Sequence, residues 1–221
     1  MEDFASARTK MVDSQLRTQD VTDYAVLDAM GDVPRERFVP AARRALAYID
    51  QDILLSGSGE TARYLMEPAS FARLAQLAAI QPTDIVLDVG CGSGYSTAVL
   101  ARLAGSVVAL ESDPALAAQA TETLSDIGVD NAAVVTGPLA EGHAGEGPYD
   151  VIVLEGSVEE VPEGLLQQLK EGGRLVGVVG TTRATTAVIY TRTDKEFGLR
   201  KAFNLYVPRI PGFERPKAFV F

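Results

Sequence analysis

The chain is short of basic residues: 20 Lys and Arg face 30 Asp and Glu in 221 residues, a formal net charge of −10. Nucleic-acid binders draw most of their affinity from Lys and Arg on phosphates, so RNA or DNA is disfavoured as a partner. Cysteine and histidine occur once each. One cysteine excludes an internal disulfide. His143, in the loop Glu141-Gly142-His143-Ala144-Gly145, has no Cys or His near it, and no metal site is expected. No apolar run approaches the ~18 residues needed to span a bilayer. The first residues carry no signal-peptide pattern, which predicts a cytoplasmic protein. Repeats and low-complexity segments are also missing, and no coiled-coil pattern calls for a partner copy, so a monomer is expected. What remains is 47% hydrophobic and 23% charged, ample for one large core.

The most informative stretch is Val86 to Tyr95, VLDVGCGSGY. It reads as a buried strand, a glycine turn and the start of a helix. Gly90, Gly92 and Gly94 permit a tight turn and close backbone approach to a ligand, and the helix behind them offers free N–H groups. A second apolar run, Val107 to Leu110, ends in Glu111, where a nucleotide-binding βαβ unit places an acid on the ribose hydroxyls. The spacing G-x-G-x-G, with Asp88 before it, departs from the dinucleotide pattern G-x-G-x-x-G. It resembles the loop of class I S-adenosylmethionine-dependent methyltransferases, which would put Gly90, Cys91, Gly92 and Ser93 against the methionine part of that cofactor. Cys91 holds a small-residue position with no neighbouring cation or second cysteine, so its expected role is steric.

Periodicity predicts helical structure over 1–48, with Met11, Leu16, Tyr24, Leu27 and Met30 at helical spacing and Pro34 and Pro40 punctuating its end. A helix over 68–79 leads into an alternating series: strand 85–89, helix 94–104, strand 107–111, helix 114–126, strands 132–135 and 150–154, helix 162–169 and strand 174–179. Two β-rich segments follow, 185–193 and 198–207, with Lys195, Glu196 and Gly198 between them. The expected fold is α/β: a doubly wound, mainly parallel, Rossmann-like seven-stranded sheet with helices on both faces, an N-terminal helical cap and a C-terminal β-hairpin. Residues 1–221 are read as one domain, with 1–67 as cap and substrate loop and 68–221 as cofactor-binding core. In such a sheet, ligands lie beyond the carboxyl ends of the strands. That adds Ser112, Gly137, Pro138 and Leu139 as candidate cofactor contacts. Glu155, near the expected methyl-transfer end, is either a contact or a solvated loop acid.

Several segments together resemble the protein-L-isoaspartate O-methyltransferases. They include Met11-Val12, Gln15-Leu16, Val26 to Met30, the run Val33 to Pro40 (VPRERFVP), Ala47 to Asp50, YDVIVLEGS and VPEGLLQQLKEGGRLVGVVG. The resemblance implies S-adenosyl-L-methionine as cofactor and the carboxylate of isoaspartyl residues in damaged proteins as acceptor. The chain departs from the family at two places. Where the family has G-Q-T-x-S-Q-P, this sequence reads Gly59-Glu60-Thr61 and continues to Pro68 with three extra residues. Counting from Gly59 puts Arg63 at the serine's place and counting back from Pro68 puts Met66 there, leaving Thr61 as the nearest hydroxyl. Where the family has G-D-G, this chain has Gly137-Pro138-Leu139, losing an adenine-contacting carboxylate at a cost of ~1 kcal/mol.

The candidate catalytic residues are therefore Thr61, Arg63 and Met66. A carboxylate acceptor is already ionised at neutral pH, so methyl transfer to it needs no general base and depends on alignment, worth roughly 7 kcal/mol or more. Arg63 facing the crevice would pair with a carboxylate acceptor, whereas Met66 and Tyr64 would suit an apolar one. The alternatives left open are a different acceptor, such as a small carboxylic acid, and a non-catalytic S-adenosylmethionine-binding protein.

Overall fold

The computed structural model describes residues 3–180, 184–194 and 196–214. In chain order, α1 (Phe4–Met11) continues through a π turn and a 3-10 turn to Asp20, where a left-handed residue (φ 63°) stops it. α2 (Tyr24–Asp32) starts where the Asp23 carboxylate accepts from the Ala25 and Val26 N–H groups. Pro34 and Pro40 then break the helical run that the sequence suggests over 1–48, leaving only 3-10 turns at 35–37 and 41–46. A small antiparallel pair follows, β1 (Ile53–Ser56) with β2 (Arg63–Leu65). α3 (Pro68–Ala78) opens with proline at its first position.

The main sheet has seven strands: β3 (Ile85–Val89), β4 (Ser106–Glu111), β5 (Ala132–Thr136), β6 (Tyr149–Val158), β7 (Leu169–Val179), β8 (Thr186–Thr193) and β9 (Glu196–Asn204). Their order is β5-β4-β3-β6-β7-β8-β9. The first five pair in parallel and the last two join antiparallel, forming the doubly wound sheet closed by a hairpin that the sequence predicts. Lys195, expected in that hairpin's turn, lies outside the described residues. α4 (Tyr95–Leu103) and α5 (Pro114–Asp126) cross between β3, β4 and β5, while α6 (Glu163–Leu166) joins β6 to β7.

A strand and a helix differ in length from their expectation. β6 runs on through Ser157 because the Ser157 N–H donates to the Pro208 carbonyl and its own carbonyl accepts from Ile210, so the returning tail extends its pairing. α6 covers four residues instead of 162–169, since β7 is already paired with β6 at Leu169.

Val86 and Leu87, adjacent on β3, are both fully buried and belong to different apolar clusters. Successive side chains on a strand point to opposite faces, so the sheet has a core on each side. Helical cover is unequal. Residues of α1 to α4 fill the first cluster, whereas the second is closed by α6, the turn at Leu139–Glu141 and the tail residues Ile210 and Phe213. The tail thereby lies beside the carboxyl ends of β3 and β6. Among the described residues, no helix is long and apolar enough to cross a membrane.

Candidate active site

The carboxyl ends of β3 and β4 deliver the two features picked out in the sequence. The β3 chain reverses at Gly90 (φ 83°), whose N–H and that of Cys91 both donate to the Leu110 carbonyl, and α4 starts from Gly94 (φ 93°). Only glycine adopts such left-handed values without strain. A Cβ on Gly94 would lie 3.0 Å from the Ala120 methyl on α5, so this position also sets how closely α4 and α5 pack.

Glu111 ends β4, and its carboxylate is fully buried. Its Oε2 accepts from the Gly92 N–H at 2.7 Å, and its Oε1 accepts from the N–H groups of Ser112 (2.8 Å) and Asp113 (3.1 Å). The acid and the glycine turn are thus locked together by the backbone.

Arg63 also reaches this carboxylate. β2 alternates in burial, so Arg63 and Leu65 point inward while Tyr64 faces out. The Arg63 Nε donates to Glu111 Oε1 at 3.2 Å, and its Nη2 donates both to Glu111 Oε2 at 2.7 Å and to the Gly90 carbonyl at 2.8 Å. The result is a two-pronged ion pair in the interior, where each partner needs the other.

Two more buried acids stand nearby. Asp88 Oδ2 accepts from the hydroxyls of Ser96 (2.8 Å) and Thr97 (2.7 Å), while its Oδ1 and Glu155 Oε1 are buried without a partner. Burial raises the Asp88 carboxyl to about 6 against the opposing pull of those hydroxyls. Burial, aided by the charge of Asp88, raises Glu155 well above the ordinary range, and Arg63 pulls both back. Arg63 is the cation that these acids feel.

The other residues singled out in the sequence take varied positions. Thr61 is exposed at the rim, donating its hydroxyl to the Ser58 carbonyl. The Met66 side chain is buried, and its carbonyl accepts from Arg35. Ser93 is buried and donates to the Phe38 carbonyl, tying the VPRERFVP segment to the turn. Cys91 is buried, and burial pushes its thiol well up, which leaves it unreactive. Ser112 bonds to Glu111, and Leu139, after Gly137 and Pro138, packs on the second core face. Among the described residues no metal-binding cluster of His, Cys, Asp or Glu forms.

Ile210 has no counterpart among the residues singled out in the sequence. It comes over the glycine turn because Ser157 fastens the tail: a Cβ on Gly90 would meet Ile210 at 3.5 Å, Leu139 at 3.6 Å and Arg63 at 3.0 Å. Its only sequence signal is the three-residue apolar spacing of Val207, Ile210 and Phe213.

A test of whether S-adenosylmethionine fits this arrangement turns on Glu111 and on space. The carboxylate that would receive ribose hydroxyls is taken by the guanidinium, and the Gly90 carbonyl is taken as well. Beside the guanidinium, a void lined by Arg63, Tyr64, Met66, Glu155 and Ile210 measures about 10 Å³, about the room of one water molecule. With Arg63 in place, the carboxylate and carbonyl that would face the donor are already engaged. A cleft of about 510 Å³ does open farther out, walled by Asp52, Glu60, Tyr64, Tyr206, Ile210 and Glu214.

Comparison with known proteins completes the description. The sequence model of the protein-L-isoaspartate(D-aspartate) O-methyltransferase family matches residues 6–211. A protein-L-isoaspartate O-methyltransferase 2 from Anaeromyxobacter sp. is 43% identical over 85% of this chain and 76% of its own length. A protein-L-isoaspartate O-methyltransferase from Roseiflexus castenholzii is 36% identical over 95% of this chain and 94% of its own. Among solved structures, one protein-L-isoaspartate O-methyltransferase superposes with a TM-score of 0.81 at 25% identity, covering 93% of this chain and 67% of that one. A Plasmodium falciparum structure in complex with S-adenosyl-L-homocysteine shares the fold at 21% identity, with a TM-score of 0.73 over 96% of this chain and 100% of that one.

Proposed function

The chain belongs to the protein-L-isoaspartate(D-aspartate) O-methyltransferase family of S-adenosylmethionine-dependent O-methyltransferases, and from that premise we propose that its acceptor is the carboxylate of an isoaspartyl residue held in the outer cleft. The observation that carries this reading is the placement of that cleft. Gly59, Glu60, Ala62 and Tyr64, from the segment standing where the family has its substrate loop, line it, and so does Ile210, the side chain that comes over Gly90 of the glycine turn.

The cleft also favours a peptide over a free small acid. Three carboxylates, Asp52, Glu60 and Glu214, line it with one cation, Arg209, and a mainly acidic wall disfavours a small anion held by charge alone. A single carboxylate carried on a polypeptide gains apolar contact with Tyr64, Tyr206 and Ile210 to offset that repulsion. In this reading Thr61 offers the nearest hydroxyl from the rim, Met66 lies under the cleft floor, and Arg63 and Glu111 mark its inner end. The acidic net charge of −10 supports a protein that does not act on nucleic acid. Cytoplasmic placement and a monomeric state are part of the same proposal.

The test is transfer of labelled methyl from S-adenosylmethionine to an isoaspartyl peptide, with the matched aspartyl peptide as control. Selective labelling of the isoaspartyl peptide is the expected result. Labelling of a small carboxylic acid in its place would overturn the acceptor named here.

A further inference from the structure

We infer that Arg63 is a built-in occupant of the donor site, a side chain that holds Glu111 and the Gly90 carbonyl until S-adenosylmethionine displaces it. This rests on the family reading above and deepens it for the same site. Two observations support it. The guanidinium makes hydrogen bonds to both oxygens of the carboxylate that a nucleoside ribose would need, and a third to the turn itself. Glu155 Oε1 is left unpaired and buried, and Glu155 lines the same small void as Arg63, so the guanidinium stands beside an acid that it does not hydrogen-bond.

The device is mechanically simple. Arg63 sits on a three-residue strand that, among the described residues, pairs with β1 alone, and that pairing already shifts register between Leu54 and Ser56. Short two-stranded ribbons are marginal on their own, so β2 is cheap to displace. The outer cleft, with Tyr64 on its wall, gives the departing side chain a route to water. Apparent affinity for a ligand falls by the fraction of molecules that are open, so a site closed most of the time binds its donor weakly however complementary the open form is.

Calorimetric titration of S-adenosyl-L-homocysteine into the wild-type protein, Arg63→Met and Arg63→Ser tests this. Both variants are expected to bind roughly tenfold tighter or more, and wild-type affinity equal to or above that of folded variants would overturn the inference. Should neither variant fold, hydrogen exchange on the wild-type protein decides. Faster exchange of the 63–65 amides on adding ligand supports displacement, whereas no binding at millimolar ligand, or binding with unchanged or slower exchange there, overturns it. Failure of the acceptor reading looks different: the donor binds and no methyl reaches the isoaspartyl peptide.

Discussion

Arg63 Nη2 lies 2.7 Å from Glu111 Oε2, with the two side chains only 3% and 0% exposed. The partners are not equally dependent on each other. Without Arg63, Glu111 keeps the N–H groups of Gly92, Ser112 and Asp113. Without Glu111, the guanidinium keeps one carbonyl, Gly90. Breaking a buried pair from the side that strands a charge costs about 3–5 kcal/mol. Glu111→Ala is therefore expected to lose about that much in urea unfolding, and Arg63→Met distinctly less. Equal losses would contradict the asymmetry.

A second buried cation serves the fold. Arg35 donates through Nε to the Ala47 carbonyl at 2.8 Å and through Nη2 to the Met66 carbonyl at 2.7 Å, with its guanidinium 4.7 Å from the Tyr95 ring centroid. It joins the N-terminal cap, the substrate loop and the first turn of α4 at one point, and burial pushes its pKa down. Arg35→Ala should cost about 3 kcal/mol or more by stranding two carbonyls and leaving a void. Arg35→Lys should recover little, because one ammonium cannot reproduce a planar fork or its stacking on the ring. Full recovery by lysine, measured by thermal unfolding, would show that charge alone matters.

Legibility in the sequence followed the range of the interaction. The strand, glycine turn and helix at 85–103 and the acid at Glu111 lie within one βαβ unit, where spacing along the chain is also spacing in space. The VPRERFVP run carried the family resemblance, and Ser93 bonding to Phe38 shows how that run is held to the turn. Arg63 and Glu111 are 48 positions apart on different sheets, and Ile210 reaches Gly90 through a tail fastened at Ser157. No local pattern encodes such contacts, so closure of the site emerges only from tertiary packing. The sequence did show the departure from the family pattern, with Arg63 at the serine's place counting from Gly59 and Met66 there counting back from Pro68. It did not show the partner that an arginine there would find.

Two left-handed glycines contrast, Gly94 in the turn and Gly128 just after α5. Gly94 combines φ 93° with a would-be Cβ 3.0 Å from the Ala120 methyl, whereas Gly128, at φ 74°, has nothing within 4 Å. Gly128→Ala should cost only the left-handed backbone penalty, about 1 kcal/mol. Gly94→Ala should cost that and the repacking of α4 against α5, about 1–3 kcal/mol more. Matching losses in denaturant titrations would mean that α5 yields without strain.

Acidification should stabilise this protein before it destabilises it. Burial raises the carboxyls of Asp88 and Glu155, so the folded chain holds protons that the unfolded chain has released. Stability then falls as pH rises from the unfolded carboxylate range near 4 through the folded value, about 6 for Asp88, because the unfolded state binds fewer protons. Asp150 works the other way. Against the upward pull of burial, the Ile85 N–H and the Lys170 ammonium hold it low, so its contribution is present at neutral pH and lost only as pH drops below the usual carboxylate range. Glu155→Gln removes one titrating group and the repulsion it exerts on Asp88. The variant should be more stable than wild type at pH 7, by about 1 kcal/mol, and should gain less on moving to pH 5. An unchanged pH slope in paired thermal melts would mean that Glu155 ionises freely in the fold and that Arg63 fully neutralises it.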